Sequence, residues 1–161
     1  MSPTGTLAAL RGSRLAKELS EEELRIFAES VELRELPDRE VLVREGSSDD
    51  RLYVIVDGAL DVVKGAGAEH ATTLVSLGKG DLVGELSFID GTPHYASIVA
   101  VKPTQVLALQ RARLEALVTT HPRIVYGVMR AIVRIVHEIQ RRISMQTSEL
   151  VKYIYKQGGR Y

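Results

Sequence analysis

The residues best placed to do chemistry lie in one stretch, Gly84-Glu85-Leu86-Ser87-Phe88-Ile89-Asp90-Gly91-Thr92-Pro93-His94-Tyr95-Ala96-Ser97. Gly84 ends a strand and permits an unusual backbone angle or a close ligand approach. Glu85 to Ile89 suit one helical turn, which Gly91 stops. The start of such a turn leaves backbone N–H groups without intrahelical partners, and an anion is their natural guest. Glu85, beside those amides, is suited to accept hydrogen bonds from a sugar hydroxyl. The alternative is a helix-start charge that stabilises the turn with no ligand present. Ser87 offers its hydroxyl either to a bound group or to nearby backbone. His94 returns toward the same pocket at the start of the next strand.

Catalysis is not what these residues suggest. Glu85, Asp90 and His94 lie close in sequence, but acid–base work needs a placed substrate and matched pKa values. Nucleophile-elbow, P-loop and kinase motifs are absent. His70, His121 and His137 are scattered, without metal-ligand spacing. The expectation is a non-enzyme that holds no metal and no resident cofactor.

The elements around the stretch must position it. Ser20-Glu21-Glu22-Glu23 has capping-box spacing, so a helix starts at Ser20, with Leu24, Phe27, Ala28 and Val31 on its apolar face. Beyond Glu32 the period shortens. Val41 and Val43 alternate with Glu40, Leu42 and Arg44, and Gly46 to Asp50 is a turn cluster. Leu52 to Val56 is a strand. Asp57-Gly58 signals a hairpin, with Ala59 to Lys64 as the partner strand. Thr72 to Leu77, Tyr95 to Val101 and Gln105 to Leu109 follow as strands separated by glycine or proline turns. Short strands with regularly spaced turns predict a mainly β fold, an antiparallel β-roll of the jelly-roll type. Ala112 to Val118 is a short helix. Pro122 then opens a long one, running to about Gln146. Residues 1–19 are expected to be a loose arm and 148–161 an irregular tail, leaving 20–147 as the domain.

At Gly84-Glu85-Leu86-Ser87, Gly91-Thr92-Pro93 and Ala96-Ser97 the sequence resembles the phosphate-binding cassette of the cyclic-nucleotide-binding family. Leu52-Tyr53-Val54-Ile55-Val56-Asp57-Gly58 is similar to that family's strand-glycine signature. The resemblance covers roughly residues 20 to 145. It implies a regulatory domain that binds cyclic AMP or cyclic GMP between cassette and sheet. It also implies ligand contacts from Gly84, Glu85, Leu86, Ser87, His94, Tyr95 and Ala96.

One departure stands out. The family's cassette arginine falls on His94, and its small neighbour on Tyr95. Arginine is always charged and offers phosphate a planar fork; histidine is shorter and mostly neutral near pH 7. Losing a charge-assisted bond to phosphate costs about 1.5–3 kcal/mol. Two functions follow. The first is a stand-alone sensor that binds a cyclic nucleotide or related small anion weakly. The second is a degenerate, non-binding version that works as a dimerisation or protein-interaction module.

The long helix carries two apolar stripes. Ile124, Val128, Ile132, Ile135, Ile139 and Ile143 form one; Val125, Met129, Val133 and Val136 form the other. Two stripes need two partners. One is the roll, and the other is expected to be a second copy, paired through Val128, Ile132, Ile135 and Ile139 in a homodimer. The bland alternative is a helix buried between the roll and the N-terminal helix. About 15 residues follow this helix, too few for a helix-turn-helix domain, so no nucleic-acid partner is expected. A downstream protein partner is compatible with a sensor. The 161 residues carry 21 basic and 21 acidic side chains and no cysteine. Disulfides and thiolate sites are excluded, and no long-range field gathers anionic partners. No apolar run matches a signal peptide or membrane span. A cytoplasmic protein with no membrane partner is the expectation.

Overall fold

The computed structural model describes residues 3–158. In chain order the elements are α1 (Pro3–Arg11), α2 (Glu21–Ala28), β1 (Val31–Leu36), β2 (Val41–Val43), β3 (Arg51–Asp57), β4 (Ala59–Lys64), β5 (Thr72–Gly78), β6 (Leu82–Val83), α3 (Glu85–Asp90), β7 (Ser97–Ala100), β8 (Thr104–Gln110), α4 (Arg111–Thr120) and α5 (Pro122–Gly158). The strands form two antiparallel sheets, in the orders β1-β8-β3-β6 and β2-β7-β4-β5. This is the expected β-roll with its N-terminal and C-terminal helices.

Why β3 and β8 read as unbroken apolar runs is now plain, because both of their faces are buried. Side chains alternate across a strand. Leu52 and Val54 of β3 and Leu107 and Leu109 of β8 meet the helices. Tyr53, Ile55, Val106 and Ala108 face the space between the sheets.

The expected hairpin at Asp57-Gly58 is not formed. β3 pairs with β6 and β8, whereas β4 pairs with β5 and β7. The chain instead crosses from one sheet to the other at Gly58. Thr104 pins the corner: its Oγ1 accepts from Ala59 N at 3.1 Å and donates toward Lys102 O at 2.8 Å. Gly58 has φ +98°, and a Cβ there would sit 2.4 Å from Thr104 Oγ1 and 2.8 Å from Pro103 O. Gly58→Ala combines a left-handed penalty with a clash against backbone. It is expected to cost about 3–4 kcal/mol, or roughly 10 °C in melting temperature for a domain of this size. Thermal circular dichroism reads it. A shift of only about a degree would mean that the corner relaxes freely.

Both ends of the chain depart from expectation. Instead of a loose arm, residues 3–16 form α1 and a 3₁₀ turn at Arg14–Ala16. Leu10 and Leu15 are fully buried in the cluster that holds Phe27, Ile124 and Val128. Burial of these two leucines overrides the breaking tendency of Gly5, while Gly12 falls in the turn just past the end of α1. Instead of an irregular tail, α5 runs on to Gly158, giving 37 residues and a rod of about 55 Å. Thr147 satisfies its hydroxyl on the Ile143 carbonyl at 3.0 Å, so it does not break the helix. Tyr161 lies outside the described residues.

The inner face of α5 also corrects the expected dimer face. Val128, Ile132 and Ile135 are at most 2% exposed and belong to the chain's own core, while Ile139 is half-buried against both apolar clusters. The helix is tied down by ion pairs as well. Glu18 meets Arg134, and Arg130 at 3.4 Å; Arg14 meets Glu138. Arg142 reaches the buried Asp81 carboxylate with two bonds, at 2.7 and 3.2 Å. No helix among the described residues is long and apolar enough to cross a membrane.

Candidate functional site

Gly84 has φ +88° and starts α3. A Cβ there would lie 2.9 Å from Arg51 O and 3.6 Å from the Tyr53 ring, so only glycine lets the turn approach β3 this closely. α3 closes with Phe88 N donating to Gly84 O at 3.0 Å and Gly91 N to Ser87 O at 2.9 Å. The N–H groups of its first turn have no intrahelical partner by geometry.

Residues 44–50, between β2 and β3, clasp the segment after α3. Gly46 N donates to His94 O at 2.7 Å, and His94 N donates to Ser47 O at 2.8 Å. Ser97 Oγ accepts from Glu45 N at 2.9 Å. Ser87 is buried, and its hydroxyl both donates to Asp49 O and accepts from Asp49 N. The Ser87 hydroxyl therefore ties the loop to α3 and does not bond to its own helix.

His94 is buried by the same clasp. Its Nε2 lies 2.8 Å from Asp49 Oδ1. The second carboxylate oxygen, Oδ2, accepts from Tyr53 OH at 2.7 Å. Burial above all, and then Asp49, push the Tyr53 phenol well above its ordinary pKa, so it stays a donor at any physiological pH. Close by, Lys64 Nζ donates to Tyr95 O at 2.7 Å and to Glu45. That Lys64 bond first, and the Gly65 N–H second, hold the Glu45 carboxyl below its usual range.

Two adjoining cavities open beside these residues. The smaller, about 180 Å³, is walled by Gly84, Glu85, Ser87, His94, Tyr95 and Ala96 among others. Leu86 is half exposed and stands at its rim. The larger, about 340 Å³, lies between the second sheet and α5, against Leu77, Leu82, Val136, Gln140, Ile143 and Ser144. Val62, Val83, Glu85 and Tyr95 line both. The larger cavity alone falls within the range of about 300–1,000 Å³ usual for small-molecule sites. It is mostly apolar, with polar groups from Glu85, Gln140 and Ser144. Among the described residues no arginine or lysine lines either cavity.

The structure thus gathers Gly84, Glu85, Leu86, Ser87, His94, Tyr95 and Ala96 in one place. Sequence reasoning missed Asp49, taken there as turn chemistry, and Gln140 and Ser144, which look like ordinary polar positions on a helix. The spacing of Val136, Ile139, Gln140 and Ile143 on one side of α5 was available as a signal.

The sequence profile of the cyclic nucleotide-binding domain matches residues 33–121. The chain belongs to that family. It is 27% identical over 140 residues to a cyclic AMP receptor protein of Thermus thermophilus, a match covering 87% of this chain and 65% of that one. It is 31% identical over 94 residues to the cAMP-dependent protein kinase regulatory subunit of Dictyostelium discoideum, covering 56% and 29%. The chain therefore spans less than two thirds of the length of these relatives. Among solved structures, a cyclic nucleotide-binding domain from Methylobacillus flagellatus superposes with a TM-score of 0.73 at 28% identity, covering 87% of this chain and 79% of the other.

Proposed function

We propose that this chain is a regulatory module that binds a cyclic nucleotide, cyclic AMP in the first instance, across the two adjoining cavities. The observation that carries the reading is the continuity of those cavities through Glu85 and Tyr95. The cyclic phosphate lies in the smaller cavity, between the first turn of α3 and His94. The ribose lies at the junction, where Glu85 accepts from its hydroxyl. The base lies in the larger cavity, with Gln140 and Ser144 as the groups on α5 able to read its edge. A ligand held this way touches the roll and α5 at once, so it stabilises one position of the helix over others. Signalling here is a change of helix position, not catalysis.

Calorimetric titration with cyclic AMP and cyclic GMP tests the reading. Saturable binding in the micromolar range is expected. It should be weaker, by roughly ten- to a hundred-fold, than that of a site with an arginine at position 94. Absence of heat with both nucleotides, in a folded protein, would refute binding and leave a non-binding interaction module.

A second reading concerns partners, and one side of α5, packed on the core only in part through Met129 and Val136, favours it. Tyr126, Met129, Val133, Val136, Gln140, Ile143, Thr147, Leu150 and Ile154 are spaced alternately by three and four residues, the seam of a two-stranded coiled coil. Tyr126, Val133, Leu150 and Ile154 are each at least 60% exposed. A second copy of α5 is the partner proposed for this seam, giving a homodimer on a face adjoining the one first expected.

A further inference from the structure

The remaining question at the site is what holds a phosphate where no fixed cation stands. Nε2 of His94 is committed to Asp49 at 2.8 Å. A carboxylate only accepts, so Nε2 carries a hydrogen in every charge state. The other ring nitrogen, Nδ1, has no hydrogen-bond partner among the described residues, although the side chain is only 7% exposed. No side-chain nitrogen or oxygen among those residues is sealed without a partner. Nδ1 therefore touches open space, and the open space beside His94 is the smaller cavity. In a neutral ring held this way Nδ1 is a bare acceptor and repels a phosphate oxygen. Only the imidazolium presents an Nδ1–H donor there.

We infer that Asp49 is a positioning residue that makes His94 a proton-coupled phosphate ligand: as the cyclic phosphate enters, one proton from solvent adds to Nδ1, and Nδ1–H donates to a phosphate oxygen. The inference rests on the reading that the cavities take a cyclic nucleotide. Asp49 fixes the ring with Nδ1 toward the cavity and supplies the counter-charge on the far side. Its own two oxygens are held by His94 and Tyr53, and its backbone N–H and carbonyl by Ser87. The titratable and charged groups about His94 are Asp49 from the loop before β3, Tyr53 from β3, Glu85 from α3, Tyr95 beside it on the chain and Lys64 from β4. Lys64, the one fixed cation of this set, is held by the Tyr95 carbonyl and Glu45 and does not line the cavity. A cyclic phosphodiester keeps its single negative charge throughout the neutral range, so a proton taken up on binding goes to the protein.

The test is calorimetry with cyclic AMP in two buffers of different ionisation enthalpy, repeated from pH 6 to pH 8. Wild type is expected to take up a measurable fraction of a proton per nucleotide within the range from pH 6 to pH 8. Its Kd is expected to rise about ten-fold from pH 6 to pH 8. His94→Gln is expected to bind with uptake near zero and a flat pH profile. Asp49→Asn, which keeps an oxygen for Nε2–H but not the counter-charge, is expected to lose most of both, whereas Asp49→Glu retains them. Saturable wild-type binding with no uptake and no pH dependence overturns this inference and leaves cyclic-nucleotide binding standing. Unchanged uptake in folded Asp49→Asn removes Asp49 from it. Absence of binding by both wild type and His94→Arg overturns the binding reading itself.

Discussion

Cyclic AMP is expected to bind the His94→Arg variant roughly ten- to a hundred-fold more tightly than the wild-type chain, a gain of about 1.5–3 kcal/mol from one charge-assisted contact. The geometry favours a productive fit. The His94 ring lies against Gly84, 3.8 Å from where a Cβ would stand there, so a longer side chain has no room in that direction. It has room in the cavity of about 180 Å³ that His94 already lines. Asp49 Oδ1, now 2.8 Å from Nε2, can take one edge of the guanidinium, leaving its other donors for phosphate oxygens. A permanent cation also removes the need for a proton, so the tighter binding should be flat from pH 6 to pH 8. Titration calorimetry reads both effects, and the melting temperature of the free variant separates affinity from stability. Unchanged affinity in a folded variant would mean that position 94 is turned wholly toward Asp49 and Tyr53 and does not meet the phosphate.

Local chemistry was legible wherever it stayed local. The capping box at Ser20 and Glu23 is formed as its spacing predicted, with Ser20 N 2.9 Å from Glu23 Oε2 and Glu23 N 3.2 Å from Ser20 Oγ. Pro122 opens α5, and Gly84 and Gly91 bracket a short helix in left-handed conformations. What stayed hidden depends on contacts between distant parts of the chain. Asp57-Gly58 has the composition of a hairpin turn, yet Thr104, 46 positions along the chain from Gly58, makes it a corner between sheets. Asp49 reads as turn chemistry because its pairing with His94 spans 45 residues. Leu10 follows Leu7-Ala8-Ala9, but Pro3, Gly5 and Gly12 read as breakers, and only the core that Leu10 and Leu15 complete explains the ordered segment. The two stripes of α5 were visible, but not that Val125, Met129 and Val136 of the second would also pack in part on the chain's own core. That depends on the N-terminal segment, where Leu15 packs into the same cluster and Glu18 pairs with Arg130 and Arg134.

Replacing Val133 and Leu150 together by glutamate is expected to convert a dimer into a monomer of 17.8 kDa, weakening self-association by at least about a thousand-fold, or roughly 4 kcal/mol. Both residues are about 60% exposed in the single chain, so charge there costs the fold little. At a coiled-coil seam the same change buries four unpaired carboxylates per dimer, two from each copy. The inner stripe gives the opposite outcome. Ile135 is 1% exposed in the chain's own core, and Ile135→Glu is expected to unfold the domain, not to dissociate it. Sedimentation equilibrium and circular dichroism on the two variants separate these cases. The seam also bears on the ligand site. Val136, Gln140 and Ile143 belong both to the seam and to the wall of the larger cavity, so a partner helix would restrict how α5 moves when a nucleotide enters. Dimer loss should then weaken or strengthen cyclic AMP binding, with the sign giving the sign of the coupling. A wild-type mass of 17.8 kDa at all concentrations up to roughly 100 μM, beyond which association is weaker than about 5.5 kcal/mol, would sink the second copy as occupant of this face.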